Sequence, residues 1–297
     1  MEFQARDRRG EGETQLRQTQ LVLLYLFDVF VEICEANHLR YFLDSGTLLG
    51  AMRHEGFIPW DDDLDVCMPE EDYAKFLKIA EKVLPEDILL QKPGQYPNDY
   101  ARCARLRDRR SFFCEWYTNV ESPSGIFLDI FPFGKFPKMS KGFGRRLMML
   151  YYTSLFYEQA HRVRNNRSLH EMLFHAGMCG AWKVVGWCVR LFYEGIRLIR
   201  PVVWNKRFGV LVTSLPGVRG EELFPLGTHN FEGRVCSVPH DPDRYLTAMY
   251  GDWRTPPPES ERHGDHKTAL ILPMQAPKVW WAMPYEGGAE KPGGDVA

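Results

Sequence analysis

The sequence predicts an α/β (α+β) protein. Three observations carry that prediction: a strand-like run that breaks into a helix at a glycine, an acidic strand followed directly by a helix, and a long helical stretch rich in positive charge. The 297 residues are 44% hydrophobic and 26% charged with a formal net charge of −2, an ordinary globular composition that excludes collagen-like and disordered chains. No segment repeats at a fixed period, and the length suits one catalytic unit with an appended part.

Met1 to Arg9 is polar and carries charges of both signs, so a secretory signal is not expected. From Thr14 the apolar residues Leu16, Leu23, Leu24, Phe27, Phe30, Val31 and Cys34 recur at helical spacing, predicting a helix that ends near Asn37. Arg40 to Leu43 reads as a short strand, Asp44 to Thr47 as a turn at a glycine, and Leu48 to Arg53 as the start of a helix. Asp61 to Met68 alternates in polarity as a half-buried strand does, and Pro69 opens a helix that Pro85 stops. Pro93 to Ser124 is rich in turn residues yet holds five arginines between positions 102 and 110. Gly125 introduces a strand, Ile126 to Phe131, closed by Pro132.

Residues 139 to about 200 look helical. Between Lys135 and Arg207, fourteen Lys and Arg face three Glu, a local charge of about +11 that predicts a basic face near an acidic surface, substrate or membrane. Past Phe224 come short strands around Phe231 to Val238, a brief helix opened by Asp241-Pro242, and a frayed tail. The organisation expected is a core at 14–138, a basic helical insert at 139–207, a C-terminal part completing the core at 208–286 and a tail at 287–297. The apolar stretches at 21–31 and 172–189 are interrupted by charge or histidine, so no spanning helix is expected. Seven cysteines, irregularly spaced and without a C-x-x-C pair, fit reduced buried thiols in a cytoplasmic protein.

The most informative run is Asp61-Asp62-Asp63-Leu64-Asp65. If it is extended, Asp61, Asp63 and Asp65 share a face, and carboxylates that close repel unless an oxygen-loving divalent cation sits among them. The plain alternative is a solvated acidic loop, but the apolar residues at alternate positions argue against it. Mg²⁺ sites built from few carboxylates accompany phosphate chemistry, so a phosphate ester substrate is expected. Ser45-Gly46-Thr47 offers backbone N–H groups, close approach and a hydroxyl for such a phosphate, although the same tripeptide occurs in ordinary turns. Asp129, inside an apolar strand, is either paired with an arginine or serves as metal ligand, general base, or both.

These residues resemble the LicD family, which includes bacterial phosphocholine transferases and relatives of fukutin. The resemblance runs through Phe42-Leu43-Asp44-Ser45-Gly46-Thr47-Leu48-Leu49-Gly50-Ala51-Met52-Arg53-His54, Gly56 to Asp65, Asp72-Tyr73, Gly125 to Pro132 and Tyr250-Gly251-Asp252-Trp253 with Pro256-Pro257. It implies a nucleotidyltransferase-like small mixed sheet flanked by helices, with the basic helical part added. The implied reaction moves a phospho-alcohol from a CDP-activated donor to a sugar hydroxyl of a cell-surface glycan or its lipid-linked precursor, releasing CMP. By the same resemblance Asp63 and Asp65 are metal ligands for Mg²⁺ or Mn²⁺, Asp129 is the third acid, and Asp61 is either an added ligand or a group that supports the ligands. Ser45, Gly46 and Thr47 form the phosphate turn. Arg53, Arg105 and Arg107 are expected on nonbridging oxygens, and Trp60 either packs under the acidic run or stacks on cytosine.

Two other readings compete: an NTP-using nucleotidyltransferase for a small hydroxylated substrate, and a non-catalytic scaffold at the membrane. No nucleic-acid partner is expected, while the basic aromatic helices suit peripheral contact with the inner face of a membrane. His263 and His266 read as ordinary loop histidines rather than a zinc pair.

Overall fold

A computed structural model of the chain describes residues 1–93, 95, 103–114, 123–137, 184, 187–188, 191–192, 204–210, 218–262 and 268–271. The expectations for most of the basic insert, for His263 and His266 and for the tail lie outside these residues.

Helix α1, Gln15–Ala36, starts where Thr14 accepts a hydrogen bond from the Arg17 N–H, a side-chain N-cap. Thirteen of its residues are buried, including the unbroken run from Thr19 to Phe27, because it lies against the sheet on one side and other elements elsewhere. Strand β1, Phe42–Leu43, follows, then helix α2, Ser45–His54, strand β2, Asp65–Pro69, and helix α3, Glu70–Val83. The amphipathic α3 buries Asp72, Phe76 and Ala80 at four-residue spacing. Strands β3, Ile88–Gln91, β4, Ala104–Asp108, β5, Ser111–Cys114, and β6, Phe127–Pro137, complete the first half.

The sheet runs β1-β2-β6-β4-β3, with β2 and β6 parallel and the other pairs antiparallel. This is a mixed sheet flanked by helices. Strand β7, Trp204–Val210, joins the far end of β6, and β8, Val218–Arg219, pairs with β7. A one-turn helix, α4, Gly220–Leu223, leads to a hairpin of β9, Gly227–Phe231, and β10, Arg234–Val238, then to α5, Pro242–Tyr250. Glu232 and Gly233 turn the hairpin with φ of 52° and 76°, the left-handed pair that a two-residue primed turn needs. Asp241 caps α5 by accepting from the Arg244 N–H, with Pro242 at its first position. Strand β11, Thr268–Ile271, pairs with β5.

Four expectations need correction. The acidic strand starts at Asp65, not Asp61: β1 ends at Leu43 opposite Val66 and the Asp44 N–H closes on the Asp65 carbonyl, so nothing on that edge extends the ladder upstream. Ser45 to Thr47 form the first turn of α2 rather than a separate turn. Pro132 does not close β6. The Asp129 N–H points to the Leu64 carbonyl, so residue 132 faces the opposite edge, where β4 has ended at Ile130 and β7 begins only at Phe133; the absent N–H is not missed there. Residues 204–207, assigned to the helical insert, are extended in β7.

The first thirteen residues are also part of the body. Arg9 is 2% exposed and its guanidinium meets Asp108 and Asp7 at 2.7 Å each, while Arg110 joins Asp7 at 2.5 Å and Asp87 at 2.7 Å. Among the described cysteines, Cys34, Cys67, Cys103 and Cys236 are buried and free and Cys188 is exposed. None of the described helices is long and apolar enough to cross a membrane.

Candidate active site

The site lies where β2 and β6 begin to pair. Asp65 stands directly opposite Asp129, and Asp129 opposite Arg105 on β4, so three ionisable side chains sit abreast across adjacent strands about 4.8 Å apart. Asp63 and Asp61 lie just upstream of Asp65. Burial first, and then the charges of Asp63, Asp129, Asp44 and Asp61, push the Asp65 carboxyl well above the usual carboxylate range. The carboxylates have therefore converged. Among the described residues, however, no three acidic, histidine or cysteine side chains close around a single point as a preformed metal centre.

Short-range contacts explain how the acids are held. Thr47, 1% exposed on α2, accepts from the Asp65 N–H through its hydroxyl at 2.8 Å. Its oxygen thereby positions the acidic strand, and at 1% exposure the side chain has little surface to offer a phosphate. Gly46 makes room for an acid rather than for a ligand: a Cβ there would lie 3.0 Å from Asp61 Oδ2. Gly50, one turn on, has the Gly56 carbonyl 2.5 Å from where its Cβ would be, so the segment leading to Asp61 is laid directly on α2. Gln20 of α1 donates to the Asp61 carbonyl at 3.0 Å, and the tip of the β9–β10 hairpin holds Glu55 through the Glu232 N–H.

Arg105 is 6% exposed. Its Nε–H donates to Asp129 Oδ1 at 2.7 Å and its guanidinium lies 3.9 Å from the centre of the Phe127 ring. In this geometry Arg105 orients Asp129 instead of reaching a substrate. Arg107, two residues along the same face, is 3% exposed and donates to Gln91 and, at 2.8 Å, to the Gly125 carbonyl, so it supports the strands rather than the site's mouth. Of the expected phosphate-gripping residues, Arg53 remains on the rim, half-buried, with Nη1–H donating to the Trp253 carbonyl at 3.2 Å. Trp60 packs partly on the core, as the packing alternative has it, with one side left at the rim.

The sequence reading missed several contributors. Asp44, 1% exposed, accepts from the Tyr245 hydroxyl at 2.6 Å and from the Cys67 thiol at 3.1 Å. Burial and the nearby Asp44 charge push both donors well above their ordinary values, so both remain protonated and able to donate. Cys103, buried beside Asp129, is raised for the same reason, with burial the larger cause. Burial, and then the charges of Asp44, Asp65, Asp63 and Asp61, push up the hydroxyl of Tyr250 at the end of α5, and Trp253 fixes the following turn through Nε1–H to Asp243 at 3.1 Å. Tyr250 to Trp253 thus both borders the site and buttresses the fold. Their aromatic and Gly-Asp pattern was visible in the sequence; Asp44's partners were not, since they are 23 and 201 positions away.

Residues 38–164 match the family model "LicD/FKTN/FKRP, nucleotidyltransferase domain". The chain is 27% identical over 282 residues to the lipopolysaccharide cholinephosphotransferase LicD of Haemophilus influenzae, covering 86% of this chain and 98% of that protein. It is 31% identical over 119 residues to an uncharacterised protein of Rickettsia prowazekii, covering 35% of this chain and 42% of that one. A shorter match, 50% identical over 42 residues, is to the human ribitol 5-phosphate transferase FKRP, covering 14% of this chain and 8% of that protein. The sheet strands β1-β2-β6-β4-β3 and the paired acids all lie within the stretch of the chain that matches this LicD nucleotidyltransferase model.

Proposed function

We propose that the protein transfers a phospho-alcohol from a CDP-activated donor to a sugar hydroxyl of a cell-surface glycan or its lipid-linked precursor, releasing CMP. The observation that carries the reading is the placement of Asp65 and Asp129 side by side on parallel strands with Asp61 and Asp63 adjacent, a concentration of negative charge that calls for a cation. The similarity to a cholinephosphotransferase over most of the chain supports the class of group transferred.

A divalent cation, Mg²⁺ or Mn²⁺, fits the donor set, since all the converging groups are carboxylate oxygens and Asp65 is destabilised as long as its neighbours' charges go unanswered. Asp63, Asp65 and Asp61 would hold it, with Asp129 as a further ligand. When bound, it neutralises charge on the diphosphate and on the departing nucleotide. The chain's own side chains do the rest. Asp129, fixed by Arg105, accepts the proton of the sugar hydroxyl as the oxygen attacks phosphorus in line. Thr47 keeps Asp65 at the strand's start, Arg53 holds nonbridging oxygens, and Trp60 supplies an apolar wall.

The lipid-linked form of the acceptor is favoured by one patch. Val184, Trp187, Leu191 and Phe192 are helical residues at three- and four-residue spacing with 62%, 64%, 53% and 48% exposure, inside the segment that carries about +11. We assign this patch to peripheral contact with an anionic bilayer; a Trp187→Ala, Phe192→Ala double variant then loses sedimentation with phosphatidylglycerol vesicles while keeping its far-UV spectrum.

The function is tested by supplying CDP-choline, CDP-ribitol and CDP-glycerol in parallel with free NTPs, each with Mg²⁺ and a deacylated lipopolysaccharide acceptor. CMP release from one CDP-alcohol, abolished by EDTA and by Asp63→Asn, is the expected result. Pyrophosphate release from NTPs alone overturns it in favour of nucleotidyl transfer.

A further inference from the structure

Two arginines, Arg53 and Arg262, have no acid partner among the described residues. Arg53 lies on the stripe of α2 that carries Gly46 and Gly50, seven and three residues earlier, the face laid against the acidic run. Its Nε is buried and has no acceptor among the described residues, although Nη1–H reaches the Trp253 carbonyl. Arg262 comes from the opposite end of the chain, just after the short 3-10 turn Glu259–Glu261. Its guanidinium sits 5.4 Å from the centre of the Trp60 ring, and its Nε–H donates to the Pro257 carbonyl at 3.0 Å.

The two guanidinium groups are close enough to repel. Burial and the charge of Arg262 both push Arg53 below its ordinary value, and burial and Arg53 do the same to the neighbouring His54. Other surface arginines of the fold find carboxylates: Arg17 has Glu232, Arg40 has Asp72, Arg244 has Glu222 and Arg254 has Asp243. Like charges that feel each other, one stacked on an indole and the other with a buried donor that lacks an acceptor among the described residues, are an unfavourable arrangement that an anion joining them relieves. Guanidinium forks favour oxyanions with two oxygens in one plane, which a phosphate presents and a halide does not.

We propose that Arg53 and Arg262 together form an oxyanion subsite on the rim, floored by Trp60, that binds a phosphate or diphosphate group of a substrate. The proposal rests on the phospho-alcohol transfer reading for its role in turnover, but the subsite itself is defined by the arginines alone. Arg262 is the new participant: it lies in the C-terminal segment, 197 positions from Asp65, and binding an anion there clamps that segment over the acids. The phosphate has two possible sources, the donor's diphosphate and a phosphate carried by the acceptor.

The test uses the full chain and inorganic pyrophosphate as probe, titrated calorimetrically in Mg²⁺, with Arg262→Gln, Arg53→Gln and, as a control, Arg254→Gln, an exposed arginine on Trp253 that pairs with Asp243. Pyrophosphate binding should weaken about tenfold in each of the first two variants and change less than twofold in the third, with thermal midpoints within about 2 °C of wild type. In the transfer assay, a KM for the CDP-alcohol raised about tenfold at nearly constant kcat assigns the subsite to the donor; the same rise in the acceptor's KM assigns it to the acceptor. Absence of pyrophosphate binding in the wild type, or undiminished binding in Arg262→Gln, overturns the subsite. Failure of the wild type to turn over any CDP-alcohol, with pyrophosphate binding still lost in Arg262→Gln, overturns the transfer reading and leaves the subsite standing.

Discussion

At the scale of single residues, the acids and their positioning partners behave differently under pH. The folded Asp65 carboxyl holds its proton to higher pH than it does in the unfolded chain. A group raised in this way adds nothing against folding below about pH 4 and costs stability progressively as pH climbs from there toward its folded value. Metal-free protein is therefore expected to lose stability from about pH 4 upward through this group, and Asp65→Asn to remove that slope, gaining about 1 kcal/mol at pH 8. Chemical denaturation at several pH values in EDTA checks both. On the proposed reading Mg²⁺ should stabilise wild type but not this variant, and the variant should lower turnover about 100-fold or more. The acids were legible in the sequence because four carboxylates within five positions are a local signal. Arg105 was legible as a cation but not as Asp129's partner, since the two are 24 positions apart and meet only through strand pairing. Arg262 gave no signal, because its meaning depends on Trp60 lying under it.

At the scale of elements, α2 does two jobs through its glycines. The stripe Gly46–Gly50 lets the segment 56–61 lie against the helix, and that contact sets where the acidic run begins. Gly50→Ala would place a methyl 2.5 Å from the Gly56 carbonyl, so backbone must move; a loss of about 1–3 kcal/mol is expected, with activity falling more than stability alone explains. Thermal unfolding beside a kcat measurement separates the two effects. The helices α1, α3 and α5 were readable because their periodicity and caps are local. Strands β4 and β5 were hidden: Ala104 to Asp108 is fully buried, yet two arginines and an aspartate among five residues read as a polar turn. Their charges are buried because Gln91, Asp129 and Arg9 answer them, and those partners come from three distant segments.

At the scale of the whole molecule, the N-terminal thirteen residues are bound to the body by buried charge, with Phe3 and Ala5 packed partly on the core. Arg9→Ala leaves Asp108, fully buried, without its main counter-ion, and is expected to cost about 3–5 kcal/mol by denaturant titration, while Arg8→Ala, an exposed residue paired with Glu11, should leave the denaturation midpoint unchanged. The order of the sheet has a separate consequence. β6 has partners on both edges at Asp129 and Ile130 and again at Phe133, but at Phe131 and Pro132 only β2 accompanies it, and past Phe133 only β7. That interval is a seam between two lattices of backbone bonds, one containing Asp129 and Arg105, the other containing β7. Amide deuteration should thus proceed in two separately cooperative blocks, and loosening of the block around residues 204–210 should leave the protons of 104–108 protected.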